Sequence, residues 1–236
     1  MKLVVLTGCS RGLGYALYHR LIEEDDVQLI CISKNVAKDQ SKALAVDVRN
    51  LDYIQADFGD SSKKEFESIL QNRLEESVIG RSYTQIIFIN NSSVIEPVGM
   101  IGNLDSDAVR LAININLQAP IIISQILARI SKQHAVKLKV LNISSGAANH
   151  PISGWPLCCS TKSAMVMFFD VMSKMDGCEI VHIDPGVLDT DMQAAIRHKN
   201  KDDFPDVEAF VGLEASGRLE KPSTVASNIV NEYILL

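Results

Sequence analysis

The sequence predicts an α/β fold, a doubly wound parallel β-sheet flanked by helices in three layers (α/β/α). Two observations carry this. Apolar runs of strand length recur along the chain, apolar on both faces as strands covered by helices on either side must be. Between them lie segments with apolar residues at helical spacing, and a β-α alternation of this kind belongs to right-handed parallel crossovers.

Taken in order, residues 3–6, 28–32, 85–89, 139–143 and 180–183 are the strand candidates, with 53–56 a weaker one. Leu13, Leu17 and Leu21 mark a helix after the first run; Phe66, Ile69 and Leu70 mark another before the fourth. The opening run is too short for a signal peptide and reads as a first strand. The most apolar stretch, 112–130, is interrupted by Asn114, Asn116, Gln118 and Pro120 and falls short of a membrane span. The most polar stretch, 197–206, reads as a mobile surface segment. No repeat or linker divides the chain, so residues 1–236 are expected to form a single domain, with 191–217 a flap within it.

Composition narrows the function classes. A hydrophobic content of 47% with 22% charged residues belongs to a globular chain rather than a disordered one. A net charge of −6 without a Lys/Arg run argues against a nucleic-acid surface. Five cysteines form no CxxC pair, so neither a disulfide framework nor a zinc site is signalled, and a reducing, cytoplasmic setting is expected. The histidines and acidic residues show no ligand spacing, so no metal is expected.

The loop that follows the first strand carries Gly8, Ser10, Arg11, Gly12, Leu13 and Gly14 and opens a helix. Its glycines permit a tight turn and a close approach to a pyrophosphate, whose charge the free N–H groups of the helix start attract. This makes the fold Rossmann-type. Three glycines also fit a plain turn; position between strand and helix is what favours the dinucleotide. No Gly-Lys-Ser/Thr ending is present, so the loop is not a phosphoryl-transfer P-loop.

At the end of the second strand, where NAD sites carry a carboxylate for the ribose, this chain has Ser33 and Lys34. With Arg11 they favour NADP(H), against the alternative that both cations are solvated surface charges.

Further motifs follow in a fixed order: Asp57 after the third strand, Asn90-Asn91-Ser92-Ser93, Asn116, Ser145, Lys162, and Pro185-Gly186 with Thr190. The ordered set resembles the short-chain dehydrogenase/reductase family, with two serines in place of its Ala-Gly. The resemblance implies that Asp57 meets the adenine and that Asn90 and Asn91 border the cofactor. It implies too that Pro185, Gly186, Val187, Thr190 and Met192 hold the nicotinamide. Asn116 joins the proton relay, Ser145 orients the carbonyl, and Lys162 serves ribose and acid. Within the family, Gly154-Trp155-Pro156-Leu157 and the segment 185–193 look like sepiapterin reductases and bacterial benzil reductases, which act on vicinal dicarbonyl or keto-pterin side chains with NADPH.

One position departs. The family's proton-donating Tyr, one helical turn before Lys162, is Cys158. A thiol is acidic enough but falls short of a phenol oxygen by on the order of 4 Å, where a donor must stand about 3 Å from its acceptor. The expectation is therefore an NADPH-dependent carbonyl reductase slowed by Cys158, with Trp155 on the substrate pocket. The rival is a catalytically inactive NADP(H)-binding sensor or scaffold. A thiolate nucleophile at Cys158 lacks a His–carboxylate pair to support it. The resemblance also implies a homodimer, through the helix that holds Ile121, Ile122, Ile126 and Ile130.

Overall fold

The computed structural model describes residues 1–37, 39–41 and 50–235. Its elements, in chain order, are β1 (Lys2–Thr7), α1 (Gly12–Leu21), β2 (Val27–Ser33), β3 (Leu51–Gln55), α2 (Lys64–Val78), β4 (Gln85–Asn90), α3 (Ser106–Ile113), α4 (Ala119–His134), β5 (Lys137–Ile143), α5 (Pro156–Met172), β6 (Cys178–Ile183), α6 (Asp191–Arg197), α7 (Val207–Ala215) and α8 (Pro222–Tyr233). Six parallel strands form one sheet in the order β3-β2-β1-β4-β5-β6. The fold is thus the Rossmann-type doubly wound sheet.

The apolar runs divide their side chains between two cores. Leu3, Val5, Ile30, Ile32, Phe88 and Val140 face α2, α4 and α5 on one side. Val4, Leu6, Leu29, Cys31, Ile89 and Leu141 face α1 and α8 on the other. A strand buried on both faces has no polar side to show, which is why these runs do not alternate. Strand order reverses between β1 and β4, and the loops leaving their carboxyl ends diverge there, opening a crevice.

Three expectations gain structural detail. The stretch 112–130 is not broken as a helix: residues 106–134 run on continuously and match a membrane span by length and composition alone, while Ala119, Ile123, Ile126, Leu127 and Ile130 pack into the protein's own core. Pro120 lacks an N–H and its ring crowds the carbonyl one turn back, so the helix widens into a π turn at Asn114–Gln118, where Ala119 N–H bonds to Asn114 O. In the helix expected to carry the dimer contact, Ile126 and Ile130 are core residues, and Ile121 and Ile122 pack partly against that core. The stretch 197–206 lies largely at the surface, as expected, but is anchored to the fold. Its Phe204 is fully buried, Lys199 pairs with Glu96 at 2.5 Å, and a Cβ on Gly154 would stand 2.3 Å from Asp203 O.

Candidate active site

The crevice at the strand-order reversal is a cleft of about 760 Å³. One end is formed by the loop between β1 and α1. Gly14 has to be glycine: a Cβ there would lie 2.1 Å from Gly8 O. Gly8 and Gly12 have φ of +71° and +56°, a region that favours residues without a side chain. Asn91 clamps the loop, its Nδ2 donating to Thr7 O at 2.9 Å and to Gly8 O at 3.1 Å. Thr7 Oγ1 accepts from the N–H groups of Asn91 and Ser92, which fixes the start of the next wall. The result is a narrow backbone cradle at a helix N-terminus, of the form an anionic pyrophosphate fits.

Gly8, Ser10, Arg11, Gly12, Leu13 and Gly14 all line the cleft, as do Ser33, Lys34 and Asp57. The last three differ from the sequence expectation in detail. Ser33 is buried, and its hydroxyl is drawn to Asn35 O at 2.7 Å and to the Tyr53 hydroxyl. Lys34 is not a free cation, since its ammonium sits 2.7 Å from Asp57. That pairing raises the lysine pKa and lowers the Asp57 carboxyl. Arg11 stays exposed at the mouth.

Two expected site residues lie behind the wall. Asn90 is buried in β4 and donates to Asn142 Oδ1 at 2.9 Å instead of facing a ligand. Asn142 continues to His182 at 3.0 Å, and His182 to Asp170 at 3.1 Å, so a polar chain crosses β4, β5 and β6 to reach α5. Asn116, in the π turn, is buried. Its Oδ1 accepts from Val94 N–H at 2.8 Å and its Nδ2 donates to Val94 O at 2.8 Å. It also reaches Ser93 and Thr161, so its polar atoms are spent on latching the loop after β4 to α5.

At the other end of the cleft, Ser145, Cys158 and Lys162 come together. Ser145 caps the short 3-10 turn Gly146–Ala148, its Oγ accepting from Ala147 N–H at 3.2 Å. Cys158 and Lys162 share a face of α5, one turn apart. Burial pushes the Cys158 thiol up, against the pull of Lys162. Burial likewise pushes the Lys162 ammonium down; its Nζ donates to Ile143 O at 2.7 Å.

Pro185, Gly186, Val187, Thr190 and Met192 form the opposite rim. Gly186 has φ of +73° and gives its N–H to Asp184 Oδ1 at 3.0 Å. Thr190 caps α6 through Gln193 N–H and stands against Gly12, where an added Cβ would meet its Cγ2 at 3.4 Å. This joins the two rims.

Trp155 also lines the cleft, stacked on Phe204 with centroids 5.0 Å apart and planes 13° apart, with Phe210 at 5.2 Å. Ile95, Ile152 and Ile196 complete an apolar lining.

Sequence reasoning missed Asp184 and His150, both in the cleft wall. Asp184 had a signal, since it immediately precedes Pro185-Gly186; His150 had none beyond standing in the loop between Ser145 and Cys158.

Comparison with known proteins agrees with this geometry. The sequence model of the short chain dehydrogenase family matches residues 2–201. A benzil reductase ((S)-benzoin forming) of Bacillus cereus is 34% identical over 98% of this chain and 93% of its own length. A sepiapterin reductase of Xenopus tropicalis is 29% identical over 89% of this chain and 82% of its own. Among solved structures, the KRED1-Pglu enzyme superposes with a TM-score of 0.82 at 25% identity, covering 98% of this chain and 94% of that one. With the family model running from the glycine loop through the segment that holds Ser145, Lys162 and Pro185, the chain belongs to the short chain dehydrogenase family of oxidoreductases.

Proposed function

We propose that this chain is an NADPH-dependent carbonyl reductase for vicinal diketones of the benzil kind or for keto-pterin side chains. The observation that carries the reading is a single cleft with a pyrophosphate cradle at one end and Ser145, Lys162 and an aromatic, apolar lining at the other. A bound reduced nicotinamide supplies the hydride that a carbonyl carbon accepts. The cradle of Gly8, Gly12 and Gly14 receives the pyrophosphate, and Arg11 stands where an adenosine phosphate would lie. Neither Ser33 nor Lys34 offers a carboxylate to a ribose, which supports NADP(H) over NAD. Ser145 holds the carbonyl oxygen, Lys162 holds the ribose, and Trp155 packs on an aryl or pterin ring. Asn116 acts at one remove, fixing the wall between them. Cys158 occupies the acid position and is too short to reach the oxygen, so turnover is slow.

Two expectations accompany this reading. The five free thiols support a reducing, cytoplasmic compartment. Met167 and Val171, exposed one turn apart on α5, with Met175 beyond, support a homodimer through that helix face.

Titration of the fluorescence of Trp155 with NADPH and NADH tests the cofactor assignment, and NADPH oxidation at saturating benzil tests the chemistry. Tighter binding of NADPH with slow benzil reduction is expected. NADPH binding without reduction, even in Cys158→Tyr, refutes the reductase and favours the sensor. An absence of binding to either dinucleotide refutes both.

A further inference from the structure

A carbonyl reduced in this cleft gains a hydride at carbon and needs a proton at oxygen. The chain's own acid at position 158 is a buried thiol, short in reach and hard to ionise. The same cleft wall also presents an imidazole, that of His150. His150 ends the turn that Ser145 begins, its N–H bonded to Gly146 O at 3.1 Å. Its carbonyl accepts a contact from Cys159 Sγ at 3.8 Å, so it lies between the Ser145 turn and the first turn of α5. The imidazole is exposed and lines the same cleft as Ser145 and Cys158.

We propose that His150 is the proton donor of this site, supplying from the cleft lip the proton that Cys158 is too short to deliver. This rests on the reductase reading above. Reduced nicotinamide dinucleotide is the two-electron donor. The imidazolium N–H bond breaks, an O–H bond forms on the former carbonyl oxygen, and the alcohol leaves behind a neutral imidazole. Because His150 is exposed, solvent restores its proton directly.

Histidine changes charge between about pH 5 and 8, so an imidazolium donor makes the rate fall as pH rises through that range. Cys159 Sγ lies 3.8 Å from the His150 carbonyl oxygen, and the other charged and titratable groups that line the same cleft are Cys158 and Lys162 on α5, Asp184 after β6, Asp191 at the start of α6, and Arg11, Lys34 and Asp57. A Cys158 donor predicts a different profile. Its thiol is pushed up by burial, so it would keep its proton, and the rate, across the same interval.

The test compares wild type, His150→Gln, Cys158→Tyr and the double variant. Benzil reduction at saturating NADPH is followed from about pH 5.5 to about pH 9. Alongside it, diethyl pyrocarbonate modification of each of the five histidines is read by mass spectrometry, with oxidised NADP alone and with oxidised NADP plus benzil, where no turnover occurs.

We expect His150→Gln to lower kcat at pH 6 by about tenfold or more, and wild-type kcat, unlike that of His150→Gln, to fall as pH rises across the range from about 5.5 to about 9. In the Cys158→Tyr background the same substitution should change kcat less than about threefold, the phenol having taken over. Benzil should slow modification at His150 and leave exposed His134 and His198 unchanged. Equal kcat in wild type and His150→Gln, or no protection of His150 by benzil, overturns the proposal while leaving the reductase reading intact. If none of the four proteins reduces benzil, the reductase reading fails and takes this inference with it.

Discussion

Cys158 and Lys162 share one face of α5, and the cleft wall beside them is already complete, so a longer side chain at 158 has open volume to enter. A phenol there spans the distance a thiol leaves, and general acid–base groups contribute about 10²–10⁴ in rate. Cys158→Tyr should therefore raise kcat for benzil at least tenfold, read as NADPH oxidation at saturating substrate; an unchanged kcat overturns the acid role of this position. The same scale explains which site residues were legible. Gly8, Gly14, Ser145 and Lys162 announce themselves because their roles depend on their own type and their spacing. The state of Ser33 and Lys34 does not. Ser33 is turned inward by Tyr53 and Lys34 is paired to Asp57, partners from β3 or just after it that no local reading of β2 can supply.

Among the elements, the strands were readable because burial on both faces leaves only apolar residues to choose. The weak candidate at 53–56 is displaced toward the N-terminus, to Leu51–Gln55, since an edge strand is half-exposed and carries Asp52 and Gln55. The asparagines of the long helix were read as interruptions, whereas Asn116 is a latch and Pro120 the cause of the π turn that carries it. Asn90 misled for a related reason. Its motif neighbours Asn91, Ser92 and Ser93 line the cleft, but strand pleat turns its own side chain toward β5 and the Asn142–His182–Asp170 chain. Asn142→Leu would strand Asn90 Nδ2 and a His182 ring nitrogen without partners. Buried groups left unpaired cost about 1–3 kcal/mol, which should appear as a lower urea midpoint with an unchanged slope. A midpoint equal to wild type would mean the chain of hydrogen bonds carries no net stability.

At the scale of the whole molecule, one face of α5 lies against the sheet through Met165, Phe169 and Met172, and its other face leaves Met167 and Val171 in solvent at 63% and 65% exposure. Exposed apolar side chains aligned on a rigid helix suit a self-complementary two-fold contact. The double substitution Met167→Glu and Val171→Glu should convert a dimer to a monomer in sedimentation velocity at micromolar concentration without lowering thermal stability. A wild-type chain that sediments as a monomer removes the homodimer from the reading.

The aromatic stack of Trp155, Phe204 and Phe210 has a kinetic consequence. Were the segment 191–217 to serve as a flap and lift clear of the cleft, it would have to withdraw a wholly buried Phe204 from its place against the indole. Hydrating a phenylalanine side chain costs roughly 1.5–3 kcal/mol, which leaves on the order of one molecule in a hundred open at any instant. A bulky diaryl guest entering from above would then wait on that rare excursion, and its association rate would be set by the doorway.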